Sequence, residues 1–196
     1  MKRIALLALP AALLGTSAIA AEPATSGVRD NGLSYDYFQF GYESRDYDGR
    51  FSPELDGLDA QLAHALDEHL FLRGEAQIFE VDPGDGDGWL IAGGLGFHTP
   101  LQKSLDLVLS GDLVHVDYDF GDDTGYRLRG GVRHATAPQL ELAGGAFLQD
   151  IGDFVDSEFG LYGSALFHIN EDIDVGAELQ LGDDSDVIGL FGRINF

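Results

Sequence analysis

Tyr126-Arg127-Leu128-Arg129-Gly130-Gly131-Val132-Arg133 alternates without a break. Tyr126, Leu128, Gly130 and Val132 share one face of an extended chain, and Arg127, Arg129, Gly131 and Arg133 share the other. Three guanidinium groups on one face need water or counter-charge. The opposite, aromatic and aliphatic face needs an apolar surround. The wall of a membrane barrel supplies both at once.

The same dyad recurs along the chain. Trp89, Ile91, Gly93, Leu95 and Phe97 oppose Leu90, Ala92, Gly94, Gly96 and His98; Leu140, Leu142, Gly144, Ala146 and Leu148 oppose Glu141, Ala143, Gly145, Phe147 and Gln149. Ile173, Val175, Ala177, Leu179 and Leu181 oppose Asp174, Gly176, Glu178 and Gln180, and Ile188, Leu190, Ile194 and Phe196 oppose Val187, Phe191, Arg193 and Asn195. Segments of about ten residues with this period are the signature of bilayer-spanning strands. The spacing predicts ten of them, at 33–45, 55–67, 70–81, 88–98, 105–118, 125–134, 139–149, 158–168, 173–182 and 186–196, in a closed antiparallel up-and-down β-barrel. Eight is the fallback if strand one or two is misplaced. In strand one the apolar face changes near Tyr37 and continues through Phe38, Phe40 and Tyr42. In strand five, Leu105, Leu107, Leu109 and Leu113 give way to Val114, Val116 and Tyr118, which predicts a bulge near Leu113.

The N-terminus reads as an export signal. A basic Met1-Lys2-Arg3, an apolar run from Ile4 to Leu14 and the small residues Ala18 and Ala20 predict cleavage after Ala20. This leaves a short lead over 21–32 and a barrel over 33–196. The alternative, an uncleaved anchor, suffers from an apolar run too short to cross about 30 Å of hydrocarbon. The chain is strongly acidic, with 34 acidic and 11 basic residues and a net charge of -23. Cleavage removes Lys2 and Arg3 but no carboxylate, so nucleic acid is a poor partner. With no cysteine, disulfides do not hold the exported chain together.

Acidic connections alternate with less acidic turns. Asp46–Glu54, Asp82–Gly88, Asp119–Thr124, Asp150–Ser157 and Gly182–Asp186 fall at one end of the barrel, which the position of the N-terminus makes the external end. Such loops invite weak binding of divalent cations, although the EF-hand pattern fails: Pro83 stands where the first ligand belongs. Leu70, Leu105, Leu140 and Ile173 open one set of strands and His98, His134 and His168 close the other, a hairpin repeat. These histidines read as polar residues at strand ends rather than metal ligands.

Alternation turns Arg73, Glu75, Asp106, Asp112, Arg127, Arg129, Arg133, Glu141, Glu158, Asp174, Glu178 and Arg193 inward, with Asp59 less surely so. Charges in a narrow lumen must be paired. The expected lumen is therefore a salt-bridged plug, and the expected role structural or surface-interacting in the cell envelope. The first alternative is a narrow porin-like channel, with the inward glycines Gly94, Gly96, Gly131, Gly145, Gly160, Gly176 and Gly189 leaving space beside the arginines. The second is a soluble exported barrel with reversed faces that binds an apolar ligand. No cofactor is implied. Catalysis is not expected: the best acid-base candidate is His115 beside Asp112 and Asp117, and no nucleophile motif is present.

Trp89, Tyr126 and Phe159 open strands on the outward face, while Phe97, Phe167 and Phe196 end them there. Two aromatic levels separated by aliphatic residues predict interfacial girdles in an outer membrane. Ile194 and Phe196 form the predicted assembly signal, read by the barrel assembly machinery after escort by periplasmic chaperones. Leu33-Ser34-Tyr35-Asp36-Tyr37 after an export signal, ten short strands and terminal Phe196 resemble the small outer-membrane proteins of xanthomonad-type Gram-negative bacteria once proposed as a secreted quorum-sensing factor. The resemblance implies a barrel and carries over no catalytic residue. A sulphated-tyrosine peptide belonged to that family's proposed activity; placing Tyr35 and Tyr37 within strand one argues against its free display.

Overall fold

A computed structural model describes residues 32–47, 53–82, 86–119, 121–152 and 155–196, with backbone only at 155 and 156. The export signal with Ala18 and Ala20, most of the lead, and Asp85 of the acidic loops lie outside the described residues. Ten antiparallel strands close into one barrel: β1 (Tyr37–Tyr47), β2 (Glu54–Ala65), β3 (Leu70–Asp82), β4 (Gly86–Gln102), β5 (Leu105–Tyr118), β6 (Gly121–Ala137), β7 (Leu140–Ile151), β8 (Val155–His168), β9 (Ile173–Gly182) and β10 (Ser185–Asn195). Each strand pairs with its sequence neighbours, and β1 pairs with β10 from Tyr37↔Asn195 to Tyr47↔Ser185. The eight-strand alternative falls away. With ten strands, the start of β1 and the end of β10 share one end of the cylinder, called here the terminal end.

Closure is staggered. Stepping between Cα partners from Tyr37 leads through Ala63, Arg73, Gly94, Asp112, Arg127 and Gln149 to Glu158, moving steadily toward the far end. The offset on returning to β1 is about a dozen residues, which tilts the strands by roughly 40°. Ten residues rising about 3.3 Å each at that tilt span about 25 Å, the height of a lipid-facing band. The outer surface supplies that band: Phe40, Leu62, Leu72, Ile78, Ile91, Leu95, Leu128, Leu161, Leu179, Ile188 and Leu190 are all exposed. Inside, Asp59, Asp106, Asp112, Arg127, Glu141, Glu158 and Asp174 are buried. These faces rule out the soluble barrel for an apolar ligand, which needs the reverse.

Three expectations change. First, β1 begins at Tyr37 and not at Leu33. Leu33 and Tyr35 leave the wall and bury at 0% and 1% exposure inside the terminal end, packed with Ala63 and Phe71. Apolar side chains there gain more from the lumen than from continuing a ladder. Second, β4 and β6 run past their expected bounds on both sides, because apolar periodicity marks only the lipid-facing part of a strand whose backbone pairing continues in water. Third, no bulge occurs at Leu113. Pairing with β4 and β6 is continuous there, and the register shifts lie at Pro100/Gln102, Ala135/Ala137 and Gln149/Ile151. What changes at Leu113 is chemistry: Leu113 faces lipid, whereas Val114 and Val116 turn inward into a far-end apolar cluster with Phe79, Leu90 and Ile151.

Turns at the terminal end are closed by their own side chains. The backbone N–H groups of His69 and Leu70 donate to Asp67 Oδ1 at 2.7 and 2.8 Å, and this holds the Asp67 carboxyl below the usual carboxylate range. Asn170 Oδ1 accepts from Asp172 and Ile173 in the same way, each at 2.9 Å.

Candidate functional site: the lumen

The twelve charged residues assigned to the lumen all face inward, and the stagger brings eight of them together as four pairs. Arg127 grips Glu75 through two bonds of 2.9 and 3.3 Å across three strands. Arg129 reaches Glu178 at 3.4 Å from β6 to β9, Arg73 Nε lies 3.5 Å from Asp112 Oδ1, and Arg133 holds Glu141 at 2.6 and 3.0 Å. The Arg127–Glu75 and Arg133–Glu141 forks are stronger than neutral hydrogen bonds and fix orientation, whereas Arg73 and Asp112 make only an ionic contact.

The remaining four are held differently. Arg193 donates from Nε and Nη2 to Gln39 Oε1, at 3.2 and 2.9 Å, and its guanidinium lies 4.0 Å from the Tyr37 ring centroid. No carboxylate reaches it within salt-bridge distance among the described residues. Asp106 accepts from the Tyr35 hydroxyl at 3.0 Å and lies 3.2 Å from His98 Nδ1. Glu158 accepts from Gln149 and from Ser185, and Asp174 from Asn195 at 2.8 Å, with His168 Nδ1 also at 2.8 Å. Asp59 faces in and accepts from Gln61 at 3.3 Å. Among these twelve residues the salt-bridged plug expected from the sequence is four ion pairs plus single charged groups held by hydrogen bonds. Arg193 is clamped to β1 by an amide, so its side chain spans the seam between first and last strands.

Aromatic rings complete the filling. Phe71 lies across from Gly96, Phe147 from Gly160, Phe191 from Gly176, and Phe79 between Gly57 and Gly88. A Cβ added at Gly88, Gly96, Gly160 or Gly176 would collide with the facing ring, and one at Gly57 with the Ile78 carbonyl and the Phe79 Cβ. At Gly131 the collision is with the Gly144 carbonyl and the Tyr162 hydroxyl. Of the inward glycines, Gly96, Gly131, Gly160 and Gly176 therefore face aromatic side chains and leave no open space there, Gly94 and Gly145 lie against neighbouring backbone, and only Gly189 has room beside it. A buried Phe of this kind stabilises by about 1.5–3 kcal/mol.

At the terminal end, Leu33, Ser34 and Tyr35 form a plug. Tyr35 stacks on His98 with centroids 3.8 Å apart, the Arg133 guanidinium lies 4.6 Å from its ring, and Arg133 Nη1 donates to the Ser34 carbonyl at 2.9 Å. Among the described residues, cavities along the axis include a vestibule of about 610 Å³ at the terminal end, a central chamber of about 90 Å³ and a far chamber of about 30 Å³. At about 30 Å³ per liquid water, the central chamber holds roughly three.

Other expected sites fare as follows. His115 is not an acid-base partner of Asp112: Asp112 points inward while His115 faces out, against Trp89 and within 3.0 Å of Thr124 Oγ1. His98 is buried rather than interfacial, because Tyr35 covers it. Among the described residues no three His, Asp or Glu side chains converge in a metal-binding arrangement. Trp89, Tyr126 and Phe159 are exposed outward toward the far end, and Phe97, Phe167 and Phe196 toward the terminal end. Sequence reasoning passed over Tyr35, Gln39, Arg45 and Tyr162. Of these, Gln39, Arg45 and Tyr162 sit on inward positions of the alternation and were legible there. Arg45 binds Glu43 at 3.2 Å near the far end.

An apolar outer band around a charged, ring-filled interior defines a transmembrane β-barrel of the outer-membrane type. No described protein family and no curated relative matches the chain. Solved structures resemble it in fold. The COG4313 outer membrane channel from Pseudomonas putida F1 aligns with a TM-score of 0.54 at 10% identity over 86% of this chain and 98% of that one. Neisserial surface protein A aligns at 0.46 and 12% identity over 83% and 98%, and the KdgM porin in complex with disordered oligogalacturonate at 0.46 and 6% over 82% and 99%.

Proposed function

We propose that this chain is a small outer-membrane protein of a Gram-negative envelope whose barrel is closed, with a structural or surface-interaction role. The observation that carries the reading is the interior: five arginine–carboxylate pairs, five inward aromatic rings set against glycines and the Tyr35 plug leave a central chamber of only about 90 Å³. In this orientation the terminal end faces the periplasm and the acidic connections face outward, where millimolar divalent cations bind loosely. The N-terminal signal directs export and is cleaved after Ala20. Outer-membrane lipid contacts the apolar band, the six aromatics at its edges form the girdles, and chaperones and the assembly machinery deliver the chain. Membership of the xanthomonad group belongs to the same proposal. It rests on Leu33–Tyr37, whose Tyr35 is buried and so not displayed.

Planar bilayer recording tests it. The folded barrel is expected to give no discrete conductance steps, and reproducible steps would refute the closed reading. The second reading, a narrow channel, draws on the six inward arginines, the 610 Å³ vestibule and the fold shared with an outer-membrane channel. On that reading Tyr35→Ala raises conductance over a measurable wild-type level.

A further inference from the structure

We propose that the central chamber is a binding site for one small monovalent anion of halide size, with Arg193 as its main anchor. The chamber lining carries four guanidinium groups, those of Arg73, Arg129, Arg133 and Arg193. Three have a carboxylate partner: Asp112, Glu178 and Glu141, respectively. Arg193 has none among the described residues, only the amide oxygen of Gln39. Among the described residues Arg193 is thus the one chamber guanidinium outside an ion pair, although Asp174 lies across from it on β9 and Glu141 shares the chamber wall.

Aromatic rings hold these arginines in place. Arg193 lies 4.0 Å from the Tyr37 centroid, Arg133 4.6 Å from Tyr35, and Arg129 5.2 Å from Tyr162. A ring orients a guanidinium without consuming its N–H donors, so the donors stay available. Arg193 Nη1 has no hydrogen-bond partner among the described residues, and buried Arg129 Nε has none either. Half-buried Arg193 lies where the chamber meets the vestibule, and a bound anion accepts from the idle donors. A volume of about 90 Å³ admits a halide with one or two waters and excludes a sugar acid. The route in is from the vestibule, which shares Arg133, Glu141 and Arg193 with the chamber wall. An anion can sit there whether or not the barrel conducts.

The full barrel folded in detergent is crystallised from sodium bromide, and its melting is followed in sodium chloride and in sodium gluconate at matched ionic strength. The expected results are an anomalous bromide peak beside Arg193 and a saturable rise in melting temperature with chloride but not with the bulkier gluconate. Arg193→Gln is expected to weaken half-saturating chloride at least tenfold while still running as a folded band, and Arg193→Lys to weaken it less. An empty chamber in bromide, equal responses to the two salts, or an Arg193→Gln protein with the wild-type chloride response would each overturn the assignment. The bromide map needs no variant, so misfolding of a mutant leaves the test intact.

Discussion

Gly96→Ala is a one-methyl change that the barrel should resist strongly. The three nearest atoms to a Cβ at position 96 all belong to the Phe71 ring, well inside van der Waals contact. Phe71 is 3% exposed, packs 5.0 Å from Tyr35, and forms part of the terminal-end cluster. To admit the methyl, the ring must leave its seat, so the cost should be that of overpacking, about 1–3 kcal/mol. Phe71→Ala alone should cost about 3–4 kcal/mol as a buried Phe truncation. In the double variant the methyl meets no ring and should cost close to nothing. The two changes are therefore coupled by about 1–3 kcal/mol, beyond the 0.3–0.5 kcal/mol scatter of independent sites. Reversible urea unfolding in lipid vesicles, read by fluorescence of the single tryptophan, Trp89, measures all four corners of the cycle. Additive effects within 0.5 kcal/mol would refute the ring-in-seat account of the inward glycines.

Two further outcomes follow from the ion pairs and the closing strand. Arg129→Leu leaves Glu178 facing the chamber without its guanidinium. Because Glu178 is about a quarter exposed, the expected loss is about 1–2 kcal/mol, less than for a fully buried pair, and an unchanged melting profile would count against the pair. Deletion of Phe196 removes an exposed outward ring and the backbone N–H that donates to the Asp36 carbonyl at 3.2 Å, yet leaves the β1–β10 ladder through Asn195 intact. Membrane-inserted protein should fall more than the melting temperature of the fraction that inserts; normal insertion would show that the last strand closes the barrel without signalling its assembly.

Period-two alternation by itself determined much of this molecule. Residues such as Arg127, Glu178 and Arg193 could be assigned to the lumen, and Trp89, Leu128 and Phe196 to the outer surface, because the face of a strand residue depends only on its parity with its neighbours. The expected count of ten strands came from the same local rule, whereas which face is inside was decided by the folded barrel, with the apolar face exposed and the charged one buried. Alternation does not determine which inward residues meet. Glu75 reaches Arg127, and Glu178 reaches Arg129, because the stagger accumulated over ten registers sets the height of each residue relative to strands across the lumen. A face change and a bulge also look alike in one strand, so Val114 and Val116 were misread until their neighbours Phe79, Leu90 and Ile151 were in place. Likewise Gly96 reads as empty space until register sets the Phe71 ring against it, and Leu33 and Tyr35 read as wall until the lumen offers them a better-buried position than the edge of β1.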